Sequence, residues 1–153
     1  MNISIAWYFL FGEKYVNDTI LYNRYAYMPT GLAPDEIVMR DSLRGSVPFQ
    51  VTKSDYILRP ETVETFFILN KLTGDPIYRT WGWEIFEAIE RFCKTDIAYG
   101  AYSDVSNTDS SPTDSMESFF MGETLKYLYL LFDPDTEVDI LNEVRQKIIG
   151  ILI

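Results

Sequence analysis

Histidine is absent from these 153 residues, and cysteine occurs once, at Cys93. Without an imidazole there is no histidine-based triad and none of the usual zinc sites. A lone cysteine excludes an intrachain disulfide, and the charged neighbours Glu90, Arg91 and Lys94 do not single out its thiol for reactivity. Basic residues are scarce as well: 13 against 23 acidic ones leave a formal net charge of -10. A surface of that sign repels phosphate backbones and anionic headgroups, so nucleic acid is not an expected partner. Long apolar runs are also missing. The longest, Ile3 to Phe11 interrupted by Ser4, is too short to span a bilayer, and it lacks the basic leader and cleavage pattern of a secretory signal. No targeting segment is expected in the sequence as it stands. The triplets Asn2-Ile3-Ser4 and Asn17-Asp18-Thr19 fit a glycosylation acceptor, which matters only in the secretory pathway.

What is present is apolar and aromatic. A hydrophobic share of 47% and an aromatic share of 16% exceed those of a solvated or disordered chain, so a folded core is expected. Ile3 to Tyr27 reads as one long or two short helices, and Met28-Pro29-Thr30-Gly31-Leu32-Ala33-Pro34 breaks them. A loop is expected from there to about Tyr56. Pro60 suits the first turn of a helix in which Val63, Phe66, Phe67 and Asn70 recur at three-to-four spacing until Gly74. Asp75-Pro76 opens the next, with Ile77, Trp81, Ile85, Ile89 and Phe92 on one face.

From Tyr99 to Pro112 the polar composition predicts a surface loop with a small hairpin near Tyr99 to Val105. Asp114 and Glu117 form a capping-box pattern ahead of an apolar run, read as a buried helix, that Asp133-Pro134 stops. Ile140, Val144, Ile148 and Ile151 share a face in a last segment. No strand alternation and no βαβ rhythm appear, so the expected class is all-α.

Several acids could carry chemistry. Glu61 and Glu64 sit three apart at the head of a helix, just after Arg59, and point to one side. The same placement is ordinary for acids that offset a helix macrodipole. Glu117 has capping as its plain role. Glu123 lies among residues that look buried, where a charge needs a partner. Acids from different helix starts suit either a hard cation or an acid/base pair across a glycosidic bond, and spacing alone does not choose. The acidic stretch Asp104 to Asp114 lacks the ligand spacing of a calcium loop and reads as solvated. Phe119, Phe120, Trp81 and Trp83 could stack on a sugar ring, with core packing as the plainer duty. A purely structural helical scaffold remains open at this point.

Two segments carry a resemblance. Leu58 to Thr65 and Asp114 to Phe132 are similar to the LRPETVES-like and DxMESFFxxETLKYLYLLF-like strings in the C-terminal third of class I α-1,2-mannosidases, glycoside hydrolase family 47. Thr30-Gly31-Leu32-Ala33-Pro34, Thr73-Gly74-Asp75-Pro76 and Trp81 to Ile89 fit the same family in the same order, so the match is strongest over residues 25–133. The resemblance implies part of an α/α barrel of seven helical hairpins, a calcium ion at its floor, and inverting hydrolysis of terminal α-1,2-mannose on high-mannose N-glycans. It casts Glu61 as the carboxylate that activates water, with Arg59 orienting the site. Glu117, Phe119 and Glu123 become sugar-binding residues, and Glu64 with Glu123 reach calcium through water.

Departures follow from the same resemblance. The family's general acid comes from earlier barrel helices that this chain does not match. Its threonine-glutamate-alanine-histidine segment, which holds calcium, is replaced by Thr136-Glu137-Val138-Asp139 within a divergent tail, residues 134–153. Leu21 stands near the place of a family disulfide cysteine. The expectation is therefore a partial catalytic domain with little or no activity alone, to be completed by the remainder of a barrel from a longer chain. A non-catalytic glycan-binding or chaperone-type module is the alternative. The resemblance implies residence in the endoplasmic reticulum or Golgi, where family members are held by a membrane anchor unless they are secreted.

Overall fold

The computed structural model describes residues 25–39, 49–133 and 135. The segments read as helical at Ile3 to Tyr27 and at Ile140 to Ile151 lie outside the described residues, apart from Tyr25 to Tyr27 at the end of the first.

The expected loop before Tyr56 contains a two-stranded antiparallel sheet. Strand β1 (Glu36–Met39) pairs with β2 (Phe49–Lys53) in the register Ile37↔Val51 and Val38↔Gln50, with a bulge beside Glu36. The described architecture is therefore mainly helical, with one small sheet that the all-α expectation did not include. Four- and five-residue strands that bury little more than Phe49 leave almost no alternation to read.

Helix α1 (Glu61–Thr73) forms where Pro60 and Gly74 bracket it. Gly74 adopts φ 70 and returns its N–H to the Asn70 carbonyl, a left-handed ending that a side chain would strain. The predicted stripe is buried: Val63, Phe66 and Phe67 face inward with Leu69. Helix α2 (Ile77–Phe92) starts where the Asp75 carboxylate accepts the Ile77 N–H at 2.9 Å. Ile85 and Ile89 are fully buried, whereas Ile77 is exposed and Trp81 and Phe92 are half-buried, so the apolar stripe narrows at both ends. Phe66 packs on Trp81 and Tyr78 with ring centroids 5.5 and 6.0 Å apart, which joins α1 to α2.

The segment after α2 is more deeply placed than its polar composition suggests. Tyr102 and Val105 are buried, and the Tyr102 hydroxyl donates to the carbonyls of Asn107 and Ser110. Single bridges pair Tyr56 with Tyr102 and Tyr102 with Pro112, and the hairpin expected within Tyr99 to Val105 does not form. The acidic part behaves as a solvated loop, with Asp104 accepting from its own neighbour Ser106.

The last described helix does not start at Asp114. Residues 114–117 are non-helical, and the chain enters a π-helical turn at Phe120–Thr124 before helix α3 (Leu125–Phe132). The Asp114/Glu117 capping box is thus not formed. Asp133, extended at ψ 112, ends α3 where the Asp-Pro step was expected to. Nor is α3 a fully buried helix: Leu128 and Leu131 face the core while Tyr129 is 68% exposed. Gly82 of α2 lies against Leu131, and a Cβ there would collide with that side chain. Glycine permits this close approach of α2 and α3.

Candidate functional site

The candidate site is built around the corner that leads into α1. Leu58 is fully buried with φ 67, a left-handed conformation that is costly for a branched side chain. Its carbonyl accepts a 2.6 Å hydrogen bond from the hydroxyl of Thr124, itself fully buried at the end of the π-helical turn. One bond across 66 residues thereby fixes the corner to the head of α3.

Arg59 follows immediately. Its Nε donates to Asp35 Oδ1 at 2.6 Å, and its Nη1 lies 3.9 Å from Glu61 Oε1. The other oxygen of Asp35 takes Lys53 Nζ at 2.7 Å, and the same ammonium reaches Asp55 at 3.3 Å. The Asp35 side chain is 3% exposed, while those of Arg59 and Lys53 are close to half exposed. Burial on its own would raise the Asp35 carboxyl, but hydrogen bonds from Arg59 and Lys53 and their charges hold it below the usual carboxylate range. The Asp35 hydrogen bond in turn raises Arg59 further above its ordinary value.

Glu61 is the first residue of α1 and half-buried, beside N–H groups that have no partner within the helix. Glu64, one turn on, accepts the Tyr127 hydroxyl of α3 at 2.8 Å. The structure therefore brings Arg59 and Glu61 together and ties Glu64 across to the third helix.

The other sequence-selected residues are held differently. Glu117 is exposed; the Ser115 hydroxyl lies 3.4 Å from its carboxylate, and its carbonyl accepts the Phe120 N–H. Phe119 is half-buried, whereas Phe120 is fully buried against Tyr99 with centroids 5.1 Å apart. Glu123 is exposed together with Met121 and Gly122, so the expectation of a charge in buried surroundings is not met. Widening the turn to π geometry turns Met121 to Glu123 outward and brings Thr124 in. Among the described residues, no hydrogen bond or ion pair joins Glu117 or Glu123 to Glu61. Trp81 and Trp83 lie on α2 and serve packing there, Trp81 on Phe66 and Trp83 on Phe132.

Sequence reasoning missed Asp35, Lys53, Thr124 and Tyr127. A polar residue in a turn, a lysine in a short strand and a threonine in an apolar run carry no local mark of a distant partner.

A family model for glycosyl hydrolase family 47 matches residues 6–146. The chain belongs to glycosyl hydrolase family 47. Over 111 residues it is 44% identical to mannosyl-oligosaccharide 1,2-alpha-mannosidase IC of Homo sapiens, covering 72% of this chain and 18% of that protein. It is 44% identical over 115 residues to the human endoplasmic reticulum mannosyl-oligosaccharide 1,2-alpha-mannosidase, covering 71% of this chain and 16% of that one. The solved alpha-1,2-mannosidase from Trichoderma reesei superposes with a TM-score of 0.74 at 32% identity, over 80% of this chain and 28% of the other. The family 47 chain thus spans less than a fifth of the length of these two curated relatives.

The family expectation of calcium meets a specific donor set here. Among the described residues, no three carboxylate or thiol groups converge to hold a metal ion. Glu64 is engaged by a tyrosine hydroxyl and Glu123 faces solvent. Glu64 and Glu123 are thus not part of a direct cage among the described residues.

Proposed function

We propose that this chain supplies the base-side half of an inverting α-1,2-mannosidase site acting on high-mannose N-glycans, within an α/α barrel larger than the described elements. The observation that carries it is Glu61 at the head of α1, half-buried and 3.9 Å from the guanidinium of Arg59. Inverting hydrolysis needs one carboxylate to take a proton from water as it attacks the anomeric carbon, and a carboxylic acid opposite to protonate the leaving oxygen. Glu61 suits the first role by its position, a half-buried carboxylate at the head of α1 beside the Arg59 guanidinium. By the family resemblance the partner acid comes from earlier barrel helices that this chain does not match.

Phe119 would stack on the apolar face of the terminal mannose, and Glu117 and Glu123 would accept its hydroxyls. Calcium, when bound, would supply a positive centre for sugar hydroxyls and water, with Glu64 and Glu123 meeting those waters. Trp83 and Tyr129, 50% and 68% exposed, give α2 and α3 an apolar outer face suited to further barrel helices. The relatives' names support the reading, and one of them places its protein in the endoplasmic reticulum, so the secretory pathway is the proposed compartment. The Arg59–Glu61 pair is also compatible with a second reading, a glycan-binding module with no catalysis.

The test uses the purified 153-residue chain with methyl α-mannoside and α-1,2-mannobiose. Binding of the mannoside that weakens in Glu61→Gln, with no mannose released from the disaccharide, is the expected result. Mannose release by the chain alone would overturn the half-site, and mannoside binding unchanged by Glu61→Gln and Arg59→Lys would remove the corner from the site.

A further inference from the structure

We propose that Asp35 is a positioning residue of this site, holding Arg59 beside Glu61 without letting the two close into a tight pair. This rests on the reading of Glu61 as the water-activating carboxylate. Asp35 comes from the far end of the Thr30–Pro34 turn, 24 residues before Arg59, and its own backbone is fastened. Its N–H donates to the Asp55 carbonyl at 2.7 Å. Upstream, the Thr30 hydroxyl donates to the Val105 carbonyl at 2.8 Å and accepts the Leu32 N–H, with Leu32 fully buried. The carboxylate is therefore a fixed anion, 3% exposed, and not a mobile surface charge.

Arginine and carboxylate prefer a two-pronged pairing when nothing else competes. A carboxylate clamped in that way is a poor acceptor for a proton from water, because its lone pairs and charge are already committed. Here Asp35 Oδ1 takes Arg59 Nε at 2.6 Å, and Glu61 is left with Nη1 at 3.9 Å. The guanidinium stays beside Glu61 but too far for a strong hydrogen bond. Lys53, on Asp35 Oδ2, neutralises the second oxygen of the buried carboxylate and does not touch Arg59 in this arrangement.

The experiment is nitrogen-15 NMR of the full 153-residue chain, with the Arg59 Nε–H signal assigned by its loss in Arg59→Lys. In the unaltered chain the signal is expected downfield and slow to exchange with water. In Asp35→Asn it should move upfield and exchange at least about tenfold faster, since the guanidinium loses its anionic acceptor and keeps at best a weaker bond to an amide oxygen. In Lys53→Gln it should stay in place. An unchanged Arg59 signal in a folded Asp35→Asn chain overturns the proposal. If that variant does not fold, Lys53→Gln decides alone: retention of the signal supports Asp35 as the anchor, and its loss overturns it. These signals are read without sugar, so a chain that binds no mannoside would sink the functional reading and leave the Asp35 result standing.

Discussion

The corner from Leu58 to Glu64 and the turn from Ser115 to Glu123 contribute acids of the same kind, yet the fold treats them in opposite ways. The corner is gripped by distant parts of the chain: Thr124 on the Leu58 carbonyl, Asp35 on Arg59, Tyr127 on Glu64. The turn is gripped mainly through Phe120 and Thr124, while Glu117 and Glu123 face solvent. One half of the candidate site is thus set by contacts within this chain. The other offers acids whose positions the described residues do little to fix, which is what a surface meant to meet further structure would show.

Breaking the seat of the corner should have the largest effect. Phe66 is fully buried against Trp81 and Tyr78, and Phe66→Ala should cost about 3–5 kcal/mol in urea unfolding, a large part of a typical domain's stability. Uncoupling the two regions comes next. Thr124→Val keeps the shape of the side chain but leaves the Leu58 carbonyl without this partner, a loss of about 1–3 kcal/mol. Cys93 reports that change, because burial pushes its thiol up to about 12 and keeps it unreactive while folded. Labelling by a thiol-specific disulfide reagent should therefore be slow in the unaltered chain and faster in Thr124→Val.

Acid should loosen the corner. The Asp35 carboxyl is held below its ordinary value in the folded chain, so its contribution to stability is complete above the unfolded-state value of about 4. That contribution is lost as the pH falls through the lower folded value, and Asp35→Asn should remove that part of the acid transition in circular dichroism. The smallest effect is expected at the turn, where Glu117→Gln should change stability by no more than about 0.5 kcal/mol because its carboxylate is exposed.

The contrast also explains what was legible in the sequence. Helices α1 and α2 were readable because Pro60, Gly74 and Asp75-Pro76 punctuate a three-to-four apolar rhythm that the fold then buries. Arg59, Glu61 and Glu64 were readable because they lie within six residues of one another on a helix start. Asp35 was not, since its role depends on a turn and a strand end that meet only in space. The outward placement of Glu123 escaped too, because a π-helical turn shifts the phase of a helix with no residue that announces it. Tyr102 and Val105 sit among serines and aspartates, which predicts surface, yet both join the apolar core while their backbones bond to Tyr56 and Ser54.

The most direct test of the account is a titration of the nitrogen-15-labelled chain with methyl α-mannoside, followed at backbone amides and at the Arg59 side chain. The account predicts weak, saturable binding, in roughly the millimolar range, that perturbs the amides of Glu61 to Val63 and the Arg59 signal and weakens in Glu61→Gln. Perturbation confined to residues away from the Arg59–Glu61 corner, or no response at saturating sugar, would contradict it.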